Sequence, residues 1–384
     1  MIMPNVITHK RVTAVLEAED LQHLLDALIG KGYQVCGPTL DSGAITYAHI
    51  RRVDDLPVGW TDQQEAGRYR VTKNKKKSYF AYAVGPHSWK KYLHPSAHRR
   101  FGAKRDGQSF VADEPEKEDV KRALVGVRPC ELQAMAIHDK VFAGGPFVDR
   151  AYQQRRQKLF IVAVNCSHPS DTCFCASMNT GPKAESGFDI LLTEVFSPTR
   201  HFFIVETGSQ AGDGVLEKLP TGAVSDADME LAEKVNQQAV KRMKRSLNLD
   251  GIKEALEAKF DDPRWAQIAE RCLACANCTM VCPTCFCTTM EDTTDLSGGQ
   301  AERTAKWDSC FTLDFSYIHG GSIRSSGAAR YRQWLMHKLV YWVDQFGTSG
   351  CVGCGRCITW CPAGIDITEE AGILRKKKFA MKLS

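Results

Sequence analysis

The chain has 384 residues, 43% apolar and 25% charged, a balance that suits two or three globular domains and excludes a disordered chain, a collagen-like fibre or a membrane bundle. Its net charge of +5 is too mild for a dedicated nucleic-acid binder, and no run approaches the roughly 18 apolar residues that would span a bilayer. The opening MIMPNVITHKR carries no apolar export segment, so the expected compartment is the cytoplasm, where sixteen cysteines read as metal ligands rather than bridges.

In chain order, Leu16, Leu21, Leu24, Leu25 and Leu28 recur at helical spacing and predict a helix within residues 14–32, stopped by Gly30 and Gly32. Gly37-Pro38 and Gly85-Pro86 are turn signals. Short apolar runs at 123–127, 159–164, 190–193 and 202–206 predict strands alternating with polar helical stretches. The region after residue 225 differs: 226–259 reads as one or two charged helices, and Tyr331, Leu335, Leu339 and Trp342 or Val343 mark a long helix over 328–345. The expected fold class is α+β, with an N-terminal α/β-type domain over 1–225. A mostly helical domain over 226–384 would carry a bacterial dicluster ferredoxin-like core with a long insertion. Basic clusters at Lys73, Lys75, Lys76 and Lys77 and at 375–378 read as solvated surface or as docking sites for an acidic partner.

The cysteine spacing is the strongest signal. Cys272, Cys275, Cys278 and Cys282 form C-x2-C-x2-C-x3-C followed by Pro283, and Cys351, Cys354, Cys357 and Cys361 repeat it before Pro362. This is the bacterial ferredoxin arrangement, in which the fourth cysteine ligates the other cluster. The expected sets are therefore Cys272, Cys275, Cys278 and Cys361 for one [4Fe–4S] cluster, and Cys351, Cys354, Cys357 and Cys282 for the second. Zinc knuckles give no reason for a third cysteine at two-residue spacing followed by a proline. Between Cys282 and Cys351 lie 68 residues, far more than a compact dicluster needs.

An internal echo joins the halves. Thr172 to Met178 and Thr284 to Met290 share the pattern TCFCxxM, each shortly after another cysteine, Cys166 or Cys282. Cys130 and Cys166 each follow an apolar strand-like run, so with Cys173 and Cys175 they make four thiols at converging strand ends. These four suit a third Fe–S cluster, a zinc site or plain buried thiols. Cys285, Cys287 and Cys310 are additional candidate ligands, with Asp308 or His319 as a fourth donor; the other reading is that they pack near the clusters and tune them. Cys36, alone in YQVCGP, reads as structural. Gly353 and Gly355 between ligands would let backbone amides approach sulfide, and Trp360 would shield a cluster or simply pack.

The succession GPHSWK (85–90), GVRPCEL (126–132), VNCSHPSDTCFC (164–175), LACANCTMVCPTCFC (273–287), WDSC (307–310) and CVGCGRCITWCP (351–362) resembles one iron–sulfur subunit family. That family includes the beta subunit of soluble NAD(P)-linked [NiFe] hydrogenases, the sulfhydrogenases, and the equivalent electron-transfer subunit of anaerobic sulfite reductase. The resemblance implies a non-catalytic electron-transfer subunit. Its partners would be a flavin/NAD(P)-binding reductase subunit together with the hydrogenase small and large subunits, or the other sulfite reductase subunits. The chain itself has no dinucleotide fingerprint: Gly208, Gly212 and Gly214 stand in the wrong order. The paired C-x-x-C motifs of a nickel–iron centre are missing too. Exposed clusters would make the protein oxygen-sensitive. The reading from another class is a redox-sensing metal-binding regulator, although no nucleic-acid module is recognisable.

Overall fold

A computed structural model describes residues 9–113 and 120–376. The fold is α+β. Its N-terminal part is built on an eight-stranded sheet ordered Thr221–Gly222, Thr13–Glu17, His201–Thr207, Ile190–Phe196, Leu159–Val164, Arg122–Val127, Gln34–Asp41 and Ala44–His49. The central strands from Ile190–Phe196 through Gln34–Asp41 run parallel, and antiparallel pairs close both sides. Leu159–Val164 and Arg122–Val127 read as near-continuous apolar runs because both faces are covered.

Helix Leu21–Gly30 presents Leu21, Leu24, Leu25 and Leu28 to this sheet, all buried. At about 25 cal/mol per Å² of apolar surface, each such leucine contributes on the order of 1.5–3 kcal/mol. The sequence places a helix from residue 14. Instead Thr13–Glu17 is a strand, because Ala14, Val15 and Leu16 fit between two antiparallel neighbours and are buried on both faces. Gly37-Pro38 is likewise strand, not turn. The parallel partner ends opposite Cys36, so Pro38 lies where its missing N–H breaks no ladder on that side.

Ser225 caps helix Asp226–Arg242, its hydroxyl accepting from the Asp228 amide while the Asp228 carboxylate accepts from the Ser225 amide. Helices Ile252–Glu257, Arg264–Arg271 and Ile367–Lys376 pack with the long helical stretch from Gly327 to Phe346 around a second core of Leu256, Trp265, Ile268, Trp334, Leu335, Leu339 and Leu374. That stretch contains a π-helical turn, His337–Tyr341. The long insertion forms the hairpin Thr288–Thr294 and Gln300–Trp307, which pairs with Ala97–Asp106 and through it with Ser109–Asp113. One four-stranded sheet thus combines strands from both sides of residue 225.

Among the described residues no helix is long and apolar enough to cross a membrane. The first eight residues of the opening segment and residues 377 and 378 of the second basic cluster lie outside the described residues. In the first basic cluster, Lys73 lies over the Trp60 ring and Lys76 over the Phe196 ring.

Candidate metal centres

The two ferredoxin runs fold alike. Cys272 follows helix Arg264–Arg271, and helix Asn277–Met280 carries Cys278; likewise helix Arg356–Thr359 carries Cys357. In each run the second and fourth residues after the first cysteine have left-handed backbone: Ala274 (φ 49°) and Ala276 (φ 66°), then Gly353 (φ 64°) and Gly355 (φ 74°). These turns curl amides towards the thiols. The Gly353 amide donates to Cys351 Sγ at 3.4 Å, Ile365 donates to Cys361 Sγ at 3.4 Å, and Ala274 donates to Cys272.

Cys272, Cys275, Cys278 and Cys361 line one pocket, walled by Phe311, Tyr331, Trp334 and Ile365. Burial pushes the Cys278 thiol well up, and Cys272, Cys361 and Cys275 add to it. Cys275 is exposed. In the second group, burial and then Cys351, Cys354 and Cys282 push Cys357 well up. Burial raises Cys351 to about 12 and Cys354 to about 11, with Cys282 contributing to both. The fourth cysteine of each run therefore keeps company with the other run. Among the described residues no group of three or more His, Cys, Asp or Glu is arranged to hold a single metal ion. All-sulfur sets with inward amides, whose buried thiolates are unfavourable without added positive charge, suit an iron–sulfur cluster.

The N-terminal cysteines gather beside the second group. Cys130 sits in the first turn of helix Pro129–Phe142 after strand Arg122–Val127, and Cys166 follows strand Leu159–Val164, its sheet neighbour. Cys173 and Cys175 come from the loop entering the 3-10 turn Cys175–Met178. Burial pushes Cys130 well up, with Cys175 and Cys354 adding to it. Cys175 is raised by burial, then by Cys173, Cys166 and Cys354. Burial takes Cys173 to about 11.

Backbone contact joins this loop to the second ferredoxin loop. Phe174 N donates to Gly353 O at 2.8 Å, Cys173 Sγ to Cys354 O at 3.7 Å, and Thr180 Oγ1 to Val352 O at 2.6 Å. A Cβ on Gly353 would lie 2.7 Å from Cys175 N, and one on Gly355 would lie 2.4 Å from Thr172 O. Alanine serves at 274 and 276, whereas at 353 and 355 the approaching chain demands glycine. The TCFC echo also has a structural counterpart. Thr172 Oγ1 meets Thr359 Oγ1 at 2.8 Å, and Thr284 Oγ1 donates to Gly350 O at 2.7 Å, so the two copies grip the second run from opposite ends.

Cys285 and Cys287 flank the second group. The Cys285 thiol donates to Cys282 and, with Lys338 and Thr284, holds Cys282 well below the ordinary thiol range. The Cys310 thiol, with Lys338, lowers Cys287 to about 7. Asp308 faces Cys287, but its Oδ1 accepts from Ser309 N and Thr312 Oγ1, both at 2.7 Å. His319 is exposed, on the turn between Tyr317–Ile318 and Gly321–Ser322. Trp360 stacks on Tyr69 with centroids 5.2 Å apart. Cys36 is buried, with His49 Nδ1 at 3.6 Å as its neighbour.

Sequence reasoning missed the buried cations. Arg356 pairs with Glu131 between the second and N-terminal sets, and both are almost fully enclosed. Arg128 donates to Phe80 O at 2.6 Å, to Tyr82 O at 2.8 Å and to Cys166. Lys338 reaches Cys282 Sγ at 3.2 Å. A lysine between Trp334 and Trp342 in an apolar helical stretch was the one signal in the sequence for the last of these.

Two ferredoxin loops, each with its fourth cysteine beside the other run, define an iron–sulfur electron-transfer protein with [4Fe–4S] clusters. In agreement, residues 271–365 match the family model for the 4Fe-4S dicluster domain. The chain is 36% identical over 251 residues to sulfhydrogenase 2 subunit beta of Pyrococcus furiosus, covering 65% of this chain and 72% of that relative. It belongs to the sulfhydrogenase beta-subunit family. No solved structure matches it.

Proposed function

We propose that this chain relays single electrons within a cytoplasmic [NiFe] hydrogenase complex of the sulfhydrogenase type, between its catalytic subunits and a flavin/NAD(P)H-binding subunit. The observation that carries this reading is the continuity of the three cysteine sets. Cys357 borders the pocket of the first set, and Cys354 acts on both Cys130 and Cys175. The second set is therefore the middle station, with the exposed Cys275 at one end and the N-terminal set at the other. A [4Fe–4S] cluster, when bound, takes up and releases one electron.

The chain's own residues do the rest. Thiols at Cys272, Cys275, Cys278 and Cys361, and at Cys351, Cys354, Cys357 and Cys282, hold two clusters, and Cys130, Cys166, Cys173 and Cys175 hold a third. Amides such as Gly353 N donate to ligand sulfurs. Phe311, Tyr331 and Trp334 keep water from the first set. Cys285 tunes the second set through its hydrogen bond to Cys282, and Cys287 and Cys310 bond each other beside Cys278 of the first set rather than adding a fourth.

The test is iron, acid-labile sulfide, nickel and zinc on the complex purified anaerobically. About 12 Fe and 12 sulfide per chain, with nickel in the partner, is the expected result. About 8 of each, with or without zinc, would sink the third cluster. Sirohaem in place of nickel would move the chain to a sulfite reductase.

A further inference from the structure

Lys338 is about 5% exposed, in the helical stretch between Trp334 and Trp342. Its ammonium donates to Cys282 Sγ and to Thr284 Oγ1, both at 3.2 Å, and lies 5.9 Å from the Trp334 ring centroid. The charges that act on it are thiols, chiefly Cys282, Cys285 and Cys351. Its backbone is bound to the same place. Lys338 lies in the π-helical turn, and its carbonyl accepts from Gly350 N at 2.8 Å and Ser349 Oγ at 3.1 Å. Thr284 Oγ1 in turn donates to Gly350 O at 2.7 Å. Lys338 thus fastens the entry to Cys351 with one end and addresses Cys282 with the other. A π-turn of this kind often marks a functional position.

The other cations near these thiols differ. Arg356 acts on Cys354, but its guanidinium is paired with Glu131 rather than placed on a ligand sulfur. Lys90 Nζ donates to the Cys285 carbonyl at 3.1 Å rather than to a sulfur. Around the first set, Arg330 acts on Cys272 while its guanidinium donates to Phe311 O at 2.7 Å, and Lys338 acts on Cys278 through space rather than by a hydrogen bond. One of the two ferredoxin sets therefore has a buried ammonium on a ligand sulfur, and the other does not.

We propose that Lys338 is a positioning residue for electron transfer, raising the reduction potential of the cluster held by Cys351, Cys354, Cys357 and Cys282 above that of the first set. Adding an electron adds one negative charge. An enclosed ammonium on a ligand sulfur stabilises that charge more strongly than it would in water. The middle station then becomes the electron's resting place in the relay. The inference rests on the reading that these thiols hold two [4Fe–4S] clusters.

The test is an EPR-monitored redox titration of the holoprotein, with iron counted on every sample. Wild type should show two distinct ferredoxin midpoints; a sample without two clusters would overturn the underlying reading instead. Lys338→Met should keep its iron and lower one midpoint by a tenfold change in electron affinity or more, ~59 mV for one electron, and lower the other by clearly less, since Lys338 touches Cys282 but acts on Cys278 only through space. Lys338→Gln, which keeps a donor without the charge, should shift the same midpoint in the same direction. Unchanged midpoints at full iron would overturn the proposal. So would iron loss in both variants, because Lys338 would then hold the site together rather than set its potential.

Discussion

The amide of Phe174 donates to the carbonyl of Gly353 at 2.8 Å, fastening the loop of Cys173 and Cys175 to the loop of Cys351 and Cys354. Gly353→Ala would push a Cβ to 2.7 Å from Cys175 N at a left-handed φ of 64°. Strain of this kind costs on the order of 1–3 kcal/mol, so the apparent Tm should fall. Ala274→Gly, at the equivalent turn, should change it little. Equal effects from the two substitutions would show that the contact is not tight.

The position of each fourth cysteine beside the other run gives a pairing test. Cys361→Ala should abolish the same EPR signal as Cys275→Ala, and Cys282→Ala the same signal as Cys354→Ala. Each should cost about 4 Fe per chain. If Cys361→Ala instead removes the signal lost with Cys354→Ala, each run holds its own cluster.

Oxygen should attack from one end. Cys275 is exposed, whereas in the second set Cys282 is buried and Cys351, Cys354 and Cys357 are only partly accessible. Timed exposure to air, followed by iron analysis and EPR, should show loss of the Cys272/Cys275/Cys278/Cys361 cluster first. Simultaneous decay of all signals would argue against an ordered series.

The Arg356–Glu131 pair is enclosed between two cysteine sets. Arg356→Met should destabilise by about 3–5 kcal/mol, because it strands a buried carboxylate. Adding Glu131→Leu should recover much of that loss. A double-mutant cycle by denaturant unfolding measures the coupling, and simple additivity would count against the pair.

Burial and the nearby Lys90 lower His94 to about 4. Its imidazole is neutral in the fold but takes a proton near 6.5 when unfolded. The unfolded state therefore binds the extra proton between these values, and stability present above pH 6.5 is lost as pH falls towards 4. The loss amounts to on the order of 3 kcal/mol. Denaturant midpoints at pH 7.5, 6.5 and 5.5 should fall with pH, and His94→Phe should flatten the slope. Parallel slopes would place the titration elsewhere.

Much of the chemistry was legible in the sequence. Two C-x2-C-x2-C-x3-C-P runs name their cofactor because cube ligation fixes local spacing, and apolar runs such as 159–164 declare buried strands. Local pattern could not make residues 14–17 a strand, since their leucine spacing suits a helix and only the flanking antiparallel partners decide otherwise. Nor could it show why alanine stands at 274 and glycine at 353, for the same backbone turn occurs at both. The difference is the chain segment 172–175 packed against the second loop. The charges that matter, Lys338, Arg356 and Glu131, meet partners far away in the chain, and the Arg356–Glu131 pair exists only once the two parts are in contact. Ligand identity is a local property of spacing. The field around the ligands is set by burial and distant neighbours, and only the tertiary structure supplies those.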